Sequence, residues 1–436
     1  MLRLLALLLL GVQATSPRTP DAPPRPSVAP PRPSTASPQS PGSLPQSVYP
    51  RGSRLPLGFY SLGYAGVRPE SALAAGFDLA GPYYSGPTAR NLAVQAEVSR
   101  AGFQLVQQLY MPYVNFEVNA RPRSRWTESL RSRVEADVRA QVEALLADSA
   151  LDQAVAWWTV SPEELDWRRP DEMEYLTLVT ETIRRIETAH GHSPRPIGMY
   201  EPNGRTADAM AQTGARTDLI VRGAYVQFAR KPRAWVRWAV GQMVEASARL
   251  PNHPAPVVVL QMSSDPAERS QWSRDTISAW IRHDVVAALV AGAKGILVWS
   301  AAPRPALQNT YQLWADAYLD AARLLTGTER IGDLFIDAER LSSCEATVRS
   351  GPDHVEFAIR GRVQVPSLGV ACLRRGGRTW VVAVNSATAP VEARIGGLPE
   401  GLSAVPAWPG TPEFRFGSGA LLVQFPPYGV GAWEVR

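Results

Sequence analysis

Between Leu55 and Leu325 the sequence repeats one pattern: a short apolar or aromatic run bounded by Gly, Pro or Asp, then a longer segment of helical periodicity. The runs fall at 57–62, 77–83, 104–111, 155–160, 197–201, 219–226, 257–262 and 295–300. Uninterrupted apolar runs separated by helices are what strands buried on both faces of a parallel sheet look like. The intervening periods agree: Leu130, Val134, Val138, Val142 and Leu145 form one stripe, and Met173, Leu176, Val179, Ile183 and Ile186 form another. Asp171 and Glu174, after Pro170, read as a capping box, and Asp265-Pro266-Ala267-Glu268 reads as the start of the seventh helix. Eight units over about 270 residues match a (β/α)8 TIM barrel, predicted here over 55–328. An open doubly wound sheet is the rival. Gly58, Gly63 and Gly66 lack the Gly-x-Gly-x-x-Gly spacing that a phosphate cradle in that fold needs.

After Thr328 the helical period gives way to short alternating runs at 345–349, 354–360, 369–373, 379–385, 391–395 and 421–425, separated by turns such as Ser350-Gly351-Pro352-Asp353. This predicts a small antiparallel β-sandwich over 329–436. Cys344 and Cys372 both fall inside it. In an exported protein they suggest one disulfide, with two unpaired buried thiols as the alternative.

Export is the expectation from the other end. Met1 and Arg3 precede a Leu/Ala run, and Val-Gln-Ala at 12–14 offers a cleavage site, so 1–14 reads as a secretory signal. That run is about 11 residues, short of the roughly 20 a bilayer-spanning helix needs, so no stable membrane anchor is expected. Over 17–50 about a third of the residues are proline, and 15–54 reads as an extended, solvated linker. The protein is therefore expected to be secreted, periplasmic or part of the cell envelope. A net charge of +5 without a basic stripe argues against a nucleic-acid partner. The five histidines show no metal-ligand spacing, and no Gly-x-Ser-x-Gly elbow is present, so no cofactor, metal or esterase chemistry is expected.

In such a barrel the carboxyl ends of the strands and the loops after them face the ligand. Here they are aromatic: Tyr60 and Tyr64, Tyr83 and Tyr84, Tyr110 and Tyr113, Trp157 and Trp158, Tyr200, Tyr225, Trp299. Aromatic faces suit the C–H faces of sugar rings, and Asn203, Arg222, Gln227 and Gln261 could bond to hydroxyls. The alternative is that these rings fill the barrel core. Glycoside hydrolysis needs two carboxyl groups flanking the bond. The candidates are Glu163 and Glu164 after the fourth strand and Glu201 ending the fifth, with Asp78 and Glu117 as outsiders and Asp265 explained mostly as a helix cap. Ser161-Pro162-Glu163-Glu164 also fits a capping box, and Glu201 could pair instead with Arg205 or Arg222.

The carboxylates after Trp157-Trp158, the eighth run Gly295-Ile-Leu-Val-Trp299-Ser, and the closing segments 379–385 and 425–433 carry a resemblance. Over 55–436 the chain resembles secreted TIM-barrel glycoside hydrolases with a C-terminal all-β domain. The resemblance implies that Glu163 or Glu164 is the general acid, that Trp299 floors the sugar subsite, and that the partner is a poly- or oligosaccharide. Two departures qualify it. The commonest large clan has Asn-Glu after the fourth strand and a glutamate ending the seventh, where this chain has Ser161-Pro162-Glu163-Glu164 and Leu260-Gln261-Met262. The α-amylase-like clan draws carboxylates from the fourth and fifth strands, as Glu201 would require, yet its other motifs are absent. A noncatalytic carbohydrate-binding or cell-envelope protein on the same barrel is the alternative.

Overall fold

The computed structural model describes Gly52 and residues 54–82, 89–116, 123–262, 272–303, 310–359 and 361–436. The predicted signal, nearly all of the linker, Tyr83, Tyr84, Glu117 and the helix start at 265–268 lie outside these residues.

Eight parallel strands close into a barrel: β1 (Leu57–Phe59), β2 (Leu79–Ala80), β3 (Gln104–Gln108), β4 (Val155–Thr159), β5 (Ile197–Glu201), β6 (Leu219–Ala224), β7 (Ala255–Gln261) and β8 (Gly295–Trp299). They neighbour one another in chain order, and β1 closes on β8 with Gly58 opposite Leu297. Each lies in one of the predicted runs, except that β7 begins two residues early. The connecting helices are α1 (Pro69–Ala74), α2 (Ala89–Arg100), α3 (Glu128–Leu146), α4 (Ser149–Ala154), α5 (Pro170–Ala189), α6 (Ala207–Gly214), α7 (Val226–Ala229), α8 (Ala234–Ala248), α9 (Arg274–Ala291), α10 (Tyr311–Thr326) and α11 (Ile331–Asp337). The stripes read from the sequence are the buried faces of α3 and α5, from Val134 to Leu145 and from Met173 to Ile186.

The capping boxes are corrected. Helix α5 begins at Pro170 after Arg169, which makes no side-chain cap. Glu172, rather than Glu174, reaches back: its buried carboxylate accepts from the Asp166 amide at 2.6 Å and pairs with Arg123 and Arg169. No helix starts at Ser161, so Ser161-Pro162-Glu163-Glu164 is a loop instead of a cap. Proline at the first helical position already lacks the amide that a capping side chain would serve.

Strand alternation sorts the side chains. Leu79, Val106, Trp157, Tyr200, Leu219, Val221, Val257, Val259 and Leu297 form the cluster inside the barrel. Ile197, Met199, Ile220, Val258, Leu260, Ile296 and Val298 pack outward against the helices.

The C-terminal region forms two larger antiparallel sheets and a separate two-stranded hairpin. One orders β10 (Glu345–Ser350), β15 (Val391–Gly396), β18 (Ala420–Phe425) and β17 (Phe414–Gly417). The other orders β16 (Ala404–Pro406), β19 (Val430–Val435), β14 (Arg378–Asn385), β13 (Leu368–Arg375) and β9 (Glu339–Arg340). Val381, Ala383, Ile395, Val423, Phe425 and Trp433 share the core between them. Cys344, just before β10, is bonded to Cys372 on β13, so one disulfide joins the two sheets.

Two features fasten the sandwich to the barrel. A hairpin of β11 (His354–Ala358) and β12 (Arg362–Pro366) lies along α8: Phe357 meets Trp238 edge-on at 6.5 Å, and Lys231 and Arg237 donate to the Ala358 and Pro366 carbonyls, each at 2.6 Å. Behind it, Arg233 pairs with Asp284, whose other oxygen lies 2.8 Å from His283 Nδ1, while His283 Nε2 lies 3.0 Å from Ser386 Oγ. Serine, histidine and aspartate stand here in the order of a hydrolytic triad, but all three are buried, which makes them a fastening between barrel and sandwich.

Candidate functional site at the barrel mouth

Alternation also decides which predicted site residues reach the mouth. Adjacent residues of a strand face opposite sides, so Tyr200 and Glu201 cannot both point into the barrel, and neither can Trp157 and Trp158. Tyr200 and Trp157 take the inner side. Trp158 turns outward, where its indole nitrogen donates to Glu187 on α5 at 2.8 Å. Arg222 likewise turns outward and donates to the Ala239 carbonyl at 3.1 Å, with its guanidinium 5.0 Å from the Trp238 ring. Its Nε and Nη2 find no hydrogen-bond partner among the described residues, and burial pushes its pKa down to about 10. Trp158 and Arg222 are therefore removed from the predicted sugar-binding set.

Glu201 requires the larger correction. It is 2% exposed, pairs with Arg205, and accepts from the Thr213 hydroxyl on α6. Burial raises its pKa, opposed by Arg205, Thr213 and Arg222. Its carboxylate stands in the layer between strand and helix, so it does not converge with Glu163 over one subsite. Salt-bridge formation, the alternative weighed from the sequence, describes it correctly.

The other residues do assemble. Tyr200 and Tyr225 stack at 6.4 Å and 28°, and Tyr225 and Trp299 stack at 5.6 Å and 29°, a continuous aromatic wall from β5 to β8. Tyr60 packs in the same inner cluster. Burial lifts the Tyr200 hydroxyl well above the usual phenol range, with Tyr225, Tyr60 and Glu163 adding to the rise. Glu163 is thus within electrostatic reach of Tyr200, and it accepts from Gln108 Nε2 at 3.4 Å. Glu164 follows in a left-handed conformation, φ 62°, and its amide donates to the Tyr200 carbonyl at 3.1 Å. Gln261 ends β7 and accepts from the Gln227 amide at 3.1 Å. A side chain at Gly223 would meet the Tyr200 hydroxyl and Asn203 Oδ1, which places Asn203 beside the wall. Tyr110, 41% exposed, stands on the loop after β3, where Gln141 bonds both its backbone amide and its carbonyl. Tyr84 lies outside the described residues.

The outsider Asp78 lies before β2, at the opposite end of the barrel, and accepts from the Leu57 amide at 3.3 Å. Sequence reasoning missed Gln108 and Gly223. Both have the parity of inward residues, Gln108 two places after Val106 and Gly223 two after Val221, a signal that was available. Among the described residues, no group of three or more His, Cys, Asp or Glu could hold a metal ion.

No protein-family model matches the sequence, and no curated protein matches it. Solved structures do. The chain is similar to AmyP, solved in complex with maltose, at TM-score 0.53 and 8% identity, covering 90% of this chain and 98% of that one. It is similar to a GH30 endoxylanase from Clostridium papyrosolvens at TM-score 0.50 and 11% identity, covering 88% and 96%. An α-amylase from Geobacillus thermoleovorans, complexed with acarbose, matches at TM-score 0.51 and 8% identity, covering 88% and 98%. These likenesses span the closed barrel and the terminal sheets together. The chain has the fold of the TIM-barrel glycoside hydrolases.

Proposed function

We propose that this protein binds a poly- or oligosaccharide at the barrel mouth, outside the cytoplasm, and cleaves a glycosidic bond there with Glu163 as the proton donor. The observation that carries the reading is the Tyr200–Tyr225–Trp299 wall at the ligand-facing end, with the Glu163 carboxyl accepting from the inward-facing Gln108 of β3. Stacked rings offer flat apolar faces to sugar C–H groups, while Gln108, Asn203, Gln227 and Gln261 supply donors and acceptors for hydroxyls. The fold neighbours solved with maltose and acarbose support a carbohydrate as the ligand class. Export is supported by the leader-like residues 1–14.

In this reading Glu163 protonates the leaving oxygen as the glycosidic C–O bond breaks, and water supplies the hydroxyl that takes its place at the anomeric carbon. Of the three glutamates nominated from the sequence, Glu164 on the same loop is the remaining candidate for the second carboxyl group. A second reading, a noncatalytic sugar-binding barrel, is favoured by the withdrawal of Glu201 into its ion pair.

A panel of storage and cell-wall glycans, assayed for product release and for binding, separates the two. Release by the wild type, lowered about 10²–10⁴-fold in Glu163→Gln with the thermal midpoint unchanged, is the expected result. Trp299→Ala should weaken binding about tenfold. Binding without release by the wild type supports the second reading. Neither binding nor release by any glycan overturns both.

A further inference from the structure

Glu201 fails as the partner acid, yet its surroundings give it another task. One carboxylate oxygen holds Arg205 Nη1 and the other accepts from Thr213. Arg205 then passes the connection on: its Nη2 donates to the carbonyl of Leu165, two residues beyond Glu163. Glu201, Arg205, Thr213 and Leu165 are all buried. From the end of β5, a path of side chains therefore reaches into the backbone of the loop that carries Glu163 and Glu164.

The same loop is pinned elsewhere. Tyr175 on α5 donates to the Ser161 carbonyl, the Glu164 amide bonds the Tyr200 carbonyl, and the Asp166 amide bonds Glu172. These ties fix its two ends and its crossing over β5. The Arg205 tie fixes the turn between Glu164 and Asp166. A planar guanidinium can serve a carboxylate with one nitrogen and a carbonyl with another in fixed geometry, which a lysine ammonium cannot reproduce. A buried ion pair is weak evidence for stability in itself, and its best-attested value is in specifying one arrangement.

We infer that Glu201 and Arg205 are positioning residues that set where the Glu163 loop stands over the mouth. The functional half of this inference rests on the reading of Glu163 as the working carboxyl group. The structural half does not.

The test uses the full chain in two variants. Arg205→Lys keeps the charge and loses the fork, and Thr213→Val removes one bond to Glu201 at nearly constant shape. Amide hydrogen exchange in peptides covering 161–168 should accelerate about tenfold in Arg205→Lys and less in Thr213→Val, while peptides from β6 and β7 stay within about twofold of wild type. On a cleaved glycan, kcat should fall at least about tenfold with KM nearly unchanged. Unchanged exchange in the loop, or acceleration spread evenly over the barrel, overturns the positioning role. If Arg205→Lys does not fold, the pattern in Thr213→Val decides the matter by the same criterion. Local acceleration with turnover unaffected supports the positioning of the loop and overturns Glu163 as the proton donor.

Discussion

A methyl group at position 223 would run into the Tyr200 hydroxyl and stand 3.1 Å from Asn203 Oδ1. Glycine there lets the Tyr200 ring lie across β6 and line up with Tyr225 and Trp299. Gly223→Ala should therefore cost about 1–3 kcal/mol in denaturant unfolding through overpacking. It should also weaken glycan binding, because the ring must tilt away from the wall. Retained stability together with wild-type affinity would show that the ring does not depend on that space. The same scale explains what was legible in single residues. The aromatic enrichment at strand ends was readable and marked Tyr60, Tyr200, Tyr225 and Trp299. Which member of an adjacent pair faces inward was also readable from period-two alternation, and applying it would have removed Trp158, Glu201 and Arg222. What no local pattern supplies is the outward partner, such as Glu187 for Trp158, because it stands at the far end of the following helix, 29 residues away.

At the scale of elements, the eight strands were legible because each is a compact apolar run, and the buried stripes of α3 and α5 were legible because their period is regular. Helix starts were less so. Acidic residues after a proline can serve a loop backbone several residues upstream instead of the helix's own first turn, as Glu172 does. The capping box weighed as the alternative for Ser161-Pro162-Glu163-Glu164 does not form: the sequence satisfies the pattern, but no helix starts there, and the amides of Glu164 and Asp166 are taken by the Tyr200 carbonyl and the Glu172 carboxylate. In the C-terminal sandwich the disulfide closes a 28-residue interval between the two sheets. Its loss in a Cys344→Ala/Cys372→Ala variant should lower unfolding free energy by about 3 kcal/mol, read from a lowered denaturant midpoint with a slope equal to or steeper than that of wild type, because the unfolded chain without the cross-link exposes more surface. A midpoint within experimental error of wild type would mean that the sheets hold each other without it.

Over the whole molecule, the contact between barrel and sandwich contains a titratable group. Burial depresses the pKa of His283 below its usual 6.5, with Arg233 and Arg237 acting in the same direction and Asp284 against it. Tyr428 covers the ring edge-on at 5.5 Å. Because the unfolded chain takes up this proton more readily, the histidine's contribution to stability is complete above pH 6.5 and is lost as the pH falls from there through the folded value. The thermal midpoint should fall on acidification below 6.5, and His283→Gln should flatten that part of the profile by up to one proton, about 1.4 kcal/mol per pH unit. An identical acid limb in wild type and variant would take His283 out of the account.

The hairpin of β11 and β12 has a consequence for how such a protein can evolve. Its inner residues cover Trp238, and its backbone oxygens occupy Lys231 and Arg237, so part of the barrel's flank is made by the later third of the gene. Recombination that exchanged the terminal domain for an unrelated one would strip that flank and leave two cations facing solvent. At this contact, variation in the barrel flank or in the hairpin is constrained by the shape of the other.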